Sequence, residues 1–355
     1  MANYSIIGVM SGTSLDGLDL AWCELSFHQS KWKYRIYKAA TIPYSPEWKN
    51  WLREAHKLTA PELTALNNIY GAFIGKQINN FIKGSPVSPM YIASHGHTVL
   101  HEPEKQITFQ AGNGHFIAAA AGITTISDFR TMDVALGGQG APLVPAGDEI
   151  LFPGYDFCLN LGGFANISFR KNNQRIAFDV CPVNFILNRL SGKLGKPYDK
   201  DGETGKSGTV NTRLLETLNA LPFYNQPAPK SLAREWMEKN FFPVTDNSDD
   251  PAPNILRTLY EHIAVQICRA ADMPAKPDTK MLITGGGAHN KFLITLLQKH
   301  FPGEIIMPEE KLVNYKEALI FAMLGVLRLR EETNCLASVT GAKKDHCCGV
   351  IYHPA

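Results

Sequence analysis

The sequence has little charge imbalance, no paired-cysteine motif and no long apolar run, and each lack removes a class of function. Lys and Arg number 35 against 33 Asp and Glu, a net charge of +2. A chain built to grip nucleic acid usually carries a basic patch, and this balance gives no electrostatic case for one. The longest apolar stretches, such as "HFIAAAAGI", fall far short of the roughly 20 residues that span a bilayer. The apolar stretch at residues 5–10 is too short for a secretory signal core. Seven cysteines are scattered without a CxxC pair, and only Cys347 and Cys348 adjoin. That usage favours reduced thiols in a cytoplasmic protein over a disulfide framework. Hydrophobic residues make up 45% of the 355 and charged residues 19%, enough for a sizeable core across two domains.

What the sequence does have is glycine placed after apolar runs. "YSIIGVMSGTSLDGLDLAWCELS" reads strand, glycine turn, strand, with Leu18, Leu20 and Trp22 alternating along the second arm. "KWKYRIYKAATIPY" adds a third strand. Residues 61–82 have helical spacing, "MYIASHGHTVLH" reads as a strand running into a loop, and a helix and a short strand follow to residue 129. At Tyr155 the pattern restarts: "YDFCLNLGGFANISF" is strand, Gly-Gly turn, strand, and "QRIAFDV" is a third strand. Helical stretches near 184–194, 210–218 and 255–271 precede "KMLITGGGAHN", a strand ending in three glycines, and the helix "KFLITLLQKHF". The chain therefore holds two halves alike in architecture, with "GGQGAPLVPAG" as the expected crossing between them.

A bare hairpin needs only Asp16–Gly17, so "SGTS" before it asks for another explanation. Glycines let backbone N–H groups approach an anion, and Ser and Thr add hydroxyl donors. Asp16 and Asp19 would repel a phosphate unless a cation such as Mg²⁺ lies between. The third turn leads into a helix start, where free N–H groups favour anions. "GETGKSG" is not a P-loop, because Lys200 stands where the first glycine belongs. His95 and His97 in "SHGHT" have a zinc-ligand spacing that would suit a metal-dependent hydrolase. No second cluster of Cys or carboxylate ligands stands out to complete it.

Several stretches together carry a resemblance: "GVMSGTSLDGLD", "SHGHT", "SDFRTMDVALGGQGAPLVP", "LNLGGFANIS", "AFDVCPVN", "ITGGGAHN", "EALIFAMLG" and "VTGA". The chain resembles the anhydro-N-acetylmuramic acid kinases, of the acetate and sugar kinase, Hsp70 and actin superfamily, nearly end to end. The resemblance implies an α/β, two-domain ribonuclease H-like (actin-like ATPase) fold with an interdomain ATP cleft. The expected division is residues 1–133 joined by 335–355, against 134–334. The implied reaction uses ATP, Mg²⁺ and water to open 1,6-anhydro-N-acetylmuramic acid and phosphorylate its 6-oxygen, a step of peptidoglycan recycling. A kinase of the same fold acting on another amino sugar is the alternative, and a metal-dependent hydrolase stands behind it.

By the resemblance, Asp179 is the catalytic base. Gly12, Thr13, Ser14, Leu15, Asp16, Gly17, Leu18 and Asp19 hold the nucleotide phosphates, Asp16 holds Mg²⁺, and Gly162, Gly163, Gly285, Gly286 and Gly287 complete the ATP site. Arg130 is expected to pair with the sugar's carboxylate or amide, with His95, Asp128, Asn184 and Glu317 as further sugar contacts. A simpler reading of Asp179 is a cap on the following helix. The partner expected is a small-molecule amino sugar, with no nucleic acid and no membrane, and a homodimer is compatible with this. Four positions depart from the family pattern: Cys181 and Val183 replace glycines, Asn188 stands where an acidic residue is often found, and His97 replaces a glutamine.

Overall fold

In this computed structural model, the structure describes residues 2–12, 14–271 and 278–355. By internal contacts the chain forms two compact units, Met1–Phe152 with Tyr315–Ala355, and Pro153–Asn314.

In the first unit β1 (Ala2–Ser11), β2 (Gly17–His28) and β3 (Lys31–Pro43) form an antiparallel meander. β4 (Tyr91–Glu102) then pairs parallel to the far side of β1. β5 (Ile107–Ala111) folds back antiparallel on β4, and β6 (Thr124–Ser127) joins β4 in parallel. A short C-terminal strand, Val350–Tyr352, closes the edge on β6. The second unit repeats the plan. β7 (Phe157–Leu161), β8 (Phe164–Lys171) and β9 (Gln174–Pro182) are an antiparallel meander. β10 (Lys280–Thr284) pairs parallel to β7, and β11 (Glu304–Ile306) parallel to β10. Each unit is thus a meander extended beyond its first strand by parallel strands, which is the ribonuclease H-like topology.

The strands are apolar because both faces are covered. Ile6, Ile7 and Val9 are fully buried in β1. In β2 the expected alternation is lost, since Ala21 and Cys23 are as buried as Leu20 and Trp22. β4 continues as strand through His101, where the sequence suggested a loop. The helices that periodicity missed include Pro46–Glu54, Val144–Leu151 and Glu310–Leu329. Pro46–Glu54 is short, with the Ser45 hydroxyl accepting from the Trp48 N–H. Glu310–Leu329 is uniformly apolar from Ala318 to Leu327 and so lacks a polar face there to mark it.

The Glu310–Leu329 helix lies unusually close to β1. A Cβ on Gly8 would come 1.8 Å from the Ala318 carbonyl oxygen, and one on Gly325 would come 2.6 Å from the Ala93 Cβ. The division between units falls at Tyr315 in this helix, where the backbone leaves helical geometry. The other division falls after Phe152, not after residue 133, because the Val144–Leu151 helix and its end pack within the first unit. Tyr34 meets Phe152 edge-on at 5.6 Å, and Gly147 sits against Ile320.

Gly8→Ala is expected to cost about 2–3 kcal/mol, since backbone rather than a flexible side chain must yield. Urea unfolding should show a lower midpoint with an unchanged slope. Gly154→Ala, whose Cβ meets nothing within 4 Å, should leave the midpoint in place.

Candidate active site

The first glycine turn joins β1 to β2. Gly12 is half-buried, Ser14 and Asp16 are exposed, and Thr13 lies outside the described residues. Leu15 takes a left-handed conformation, φ 58°, with its N–H donating to the Gly12 carbonyl at 3.2 Å. The side chains of Leu15 and Leu18 belong to the apolar core, so only their backbone is available to a ligand. Gly17 is packed against Ile42, with no room for a Cβ. Asp19 accepts from the Thr41 hydroxyl at 2.6 Å. Burial pushes its carboxyl up, the Thr41 bond opposes this, and the neighbouring Asp16 charge adds to it. Two neighbouring carboxylates beside hydroxyl groups form an oxygen-rich set that suits Mg²⁺.

Two buried polar networks lie behind that turn. Tyr44 donates to the Ser11 hydroxyl at 2.8 Å, and Tyr70 meets Tyr44 at 2.5 Å. Ser11 is 2.9 Å from His97 Nδ1, so Tyr70, Tyr44, Ser11 and the imidazole form one continuous hydrogen-bonded chain. Burial lowers the His97 pKa to about 4, which keeps the ring neutral. In the second network His95 Nδ1 donates to the Gly96 carbonyl at 2.8 Å, and Nε2 accepts from Arg130 Nε at 3.0 Å and Nη2 at 2.8 Å. The two histidines therefore serve separate networks and do not pair as metal ligands.

Arg130 also donates from Nη1 to the Gly140 carbonyl. Burial brings it down to about 10, still charged at neutral pH, with Glu317 opposing the shift. Glu317 is raised by burial, and Lys316 and Arg130 pull against that while Asp19 adds to it. Lys316 itself pairs with Asp148 at 2.7 Å. The fold thus links these groups in a series of electrostatic neighbours: Asp16 to Asp19, Asp19 to Glu317, Glu317 to Arg130 and Arg130 to His95. Asp128 stands apart: it is left-handed, φ 60°, and its Oδ1 accepts from the Thr131 N–H at 3.2 Å.

The second unit gathers the other glycines. The Gly162 N–H donates to the Phe164 carbonyl, and the Gly162 and Gly163 carbonyls accept from the N–H groups of Val183, Asn184 and Phe185. This turn therefore serves as an acceptor for the start of the Asn184–Lys193 helix, not simply as an array of donors. Gly285, φ 86°, would place a Cβ 2.6 Å from Asn160 Oδ1, so the third turn nests against the second only as glycine. Asn184 donates from Nδ2 to the Leu161 carbonyl at 3.2 Å, next to Gly286.

A cavity of about 460 Å³ opens beside these turns, lined by Asn184, Tyr198, Asp199, Tyr260, Gly286 and Asn290 among others. Asn290 donates to the Tyr260 hydroxyl at 2.8 Å, which donates to Asp199 Oδ2 at 3.2 Å. Asp199 also accepts from the N–H groups of Thr204 and Gly205, both at 2.9 Å. Asp199, Tyr260 and Asn290 were not expected as site residues. The one available signal is the polar run "YDKD" at residues 198–201, which carries no motif of its own.

Asp179 lies on β9, opposite Asn166 beside a bulge. Its backbone N–H donates to the Lys230 carbonyl at 3.0 Å, and its Oδ2 accepts from the Leu232 N–H at 2.9 Å. Burial raises the carboxyl to about 6, against the Leu232 bond. It caps no helix, since Val183 precedes the next one. Cys181 and Val183 are fully buried in the core cluster, so these two departures alter packing beneath Asp179 and present no side chain to a cavity.

The family model described as anhydro-N-acetylmuramic acid kinase matches residues 4–354. A protein of that name from Sulfurimonas denitrificans is 35% identical over 370 residues, 98% of each chain. Its namesake from Pasteurella multocida is 37% identical over 373 residues, 99% of this chain and 97% of that one. Among solved structures, component A of the Acidaminococcus fermentans (R)-2-hydroxyglutaryl-CoA dehydratase gives a TM-score of 0.45 at 12% identity, covering 90% of this chain and 96% of that one.

The lowered His97 pKa carries a stability consequence. Between its folded value of about 4 and the ordinary 6.5, the unfolded chain binds a proton there and the folded chain does not. Stability therefore falls as pH drops through that window. His97→Gln should flatten the slope by up to one proton, about 1.4 kcal/mol per pH unit. His95 and His262 are lowered too, so a residual slope of the same sign should persist in urea titrations.

Proposed function

We propose a reaction for this chain, which belongs to the anhydro-N-acetylmuramic acid kinase family: ATP, water and 1,6-anhydro-N-acetylmuramic acid give N-acetylmuramic acid 6-phosphate and ADP. Such a phosphotransferase would serve the recycling of cell-wall sugars in the cytoplasm. Among the described residues, no helix is long and apolar enough to cross a membrane.

The observation that carries the reading is Asp179. A carboxyl raised to about 6 is mostly ionised at neutral pH yet basic enough to accept a proton. The Leu232 N–H orients one oxygen and leaves the other for a water molecule. In the proposed step Asp179 takes a proton from that water as its oxygen bonds to the anomeric carbon. The bond from that carbon to the 6-oxygen breaks, and the 6-oxygen attacks the γ-phosphorus as ADP departs. The proton on Asp179 then returns to solvent.

The remaining residues position charge. The turn at residues 12–19 offers backbone and hydroxyl donors for the phosphates, with Asp16 and Asp19 as the carboxylates to hold Mg²⁺. When bound, that ion supplies charge neutralisation on the phosphates. Arg130, oriented by His95 and Gly140, offers its remaining donors to the sugar's carboxylate. The cavity lined by Asn184, Tyr260 and Gly286 is the place for the nucleoside.

ADP release should require the anhydro sugar as well as MgATP, and equal release without sugar would leave only an ATPase. Asp179→Asn should lower kcat on the order of 10²–10⁴-fold. In the wild type kcat/KM should rise with pH about a midpoint near 6, as Asp179 loses its proton, and that limb should vanish in the variant. Product formed in ¹⁸O-labelled water should carry the label at the anomeric carbon. An unlabelled sugar or a fully active variant would rule out this role for Asp179.

A further inference from the structure

A second polar cluster lies in the first unit, joined to Arg130 through Gly140, which accepts from Arg130 and donates to Asp133. Cys335, His346 and Cys348 are all buried, and one ligand atom from each lies within 4.8 Å of the others. Asp133 is fully buried beside them, with Oδ1 3.1 Å from Cys335 Sγ and 3.5 Å from His346 Nε2. The backbone sets up the arrangement. Cys335 and His346 face each other across an isolated antiparallel bridge, with N–H···O bonds of 3.1 and 3.2 Å. Cys348 is fixed by Asn334, whose Oδ1 accepts from the Cys348 N–H at 2.6 Å and whose Nδ2 donates to the Cys348 carbonyl at 3.0 Å.

The imidazole gives the arrangement its direction. His346 Nδ1 donates to the Lys344 carbonyl at 3.0 Å, which leaves the lone pair on Nε2. That Nε2 is buried, points into the cluster and has no hydrogen-bond partner. A histidine oriented through one nitrogen by a backbone carbonyl, with the other nitrogen bare, is the usual disposition of a metal ligand. Asp133 is held in the same way: Thr340 donates to Oδ1 at 2.7 Å and the Gly140 N–H donates to Oδ2 at 2.6 Å.

We propose that Cys335, His346, Cys348 and Asp133 form a tetrahedral structural site for Zn²⁺. Two sulfurs, one imidazole nitrogen and one carboxylate oxygen match the ligand set that zinc takes. Bond lengths of about 2.0–2.3 Å put tetrahedral ligand atoms roughly 3.3–3.8 Å apart, so the Cys335, His346 and Cys348 atoms, within 4.8 Å of one another, draw together with the Asp133 carboxylate as the ion binds. Binding releases the two thiol protons to solvent as thiolates form. All four positions are filled by protein, so the site is closed and its role is to fasten. It joins the C-terminal segment to the Thr131–Ala135 turn, which directly follows Arg130. The ligands span residues 133 to 348 in sequence, which explains why no short Cys/His motif announces them.

Metal analysis of the purified full chain should find about one zinc per chain. Cys335→Ser and His346→Gln should each lower it at least about tenfold, while Cys347→Ser, one residue from a ligand, should retain it. A second measurement does not depend on folded variants: the wild-type chain, stripped by chelator and given Co²⁺, should develop thiolate-to-cobalt charge-transfer absorption. Absence of both zinc and that absorption would overturn the proposal. So would zinc retained in full by Cys335→Ser and His346→Gln, or a Cys335–Cys348 disulfide recovered by non-reducing mass spectrometry.

Discussion

The closeness of the Glu310–Leu329 helix to β1 is the constraint on which the polar residues of the first unit depend. Gly8 lies under the Ala318 carbonyl and Gly325 over Ala93, so backbone meets sheet where side chains would hold them apart. Glu317 precedes Ala318, so the same contact sets its depth. At that depth water no longer solvates its carboxyl well, and Lys316 and Arg130 become its counter-charges. Lys316 in turn reaches Asp148, from the helix that joins this unit after the glycine- and proline-rich stretch. One close helix-to-sheet approach thus seats the acidic, basic and hydroxyl groups that surround the first glycine turn.

Burial acts differently on each kind of ionisable group around these turns, and the pattern follows from partners. The histidines have donors or hydroxyls as neighbours and no carboxylate close by, so they stay neutral. Arg130 keeps its charge because carbonyl, imidazole and Glu317 receive it. Asp19, Asp179 and Glu317 are all pushed upward, each with too few donors to repay the lost water. Such carboxyls are poised to take up a proton or a cation, as phosphoryl transfer requires.

The duplicated architecture was legible because a strand–glycine–strand unit is a local signal: apolar run, φ-permissive turn, apolar run. Both meanders stand where the sequence suggested. The Glu310–Leu329 helix was hidden because a segment buried all round has no polar stripe. The residues of the first turn were readable as a group, yet Leu15 and Leu18 turned out to be core residues whose side chains anchor it. Asp199, Tyr260 and Asn290 escaped notice because they meet through tertiary contacts across more than ninety residues of chain.

By itself the sequence determined the composition class, the two-fold repeat of meanders, the three glycine turns and the motif string that assigns the family. These are properties of short segments, set by side-chain period and backbone freedom. Tertiary structure alone decided where each polar group spends its hydrogen bonds. It gave His97 to Ser11 and His95 to Arg130, although the two share one HxH motif. It turned the second glycine turn's carbonyls toward a helix start, buried Cys181 and Val183 in the core, and brought Asp133 beside Cys335 and His346. Hydrogen-bond partners and desolvation depend on which segments meet in space, and spacing along the chain carries neither.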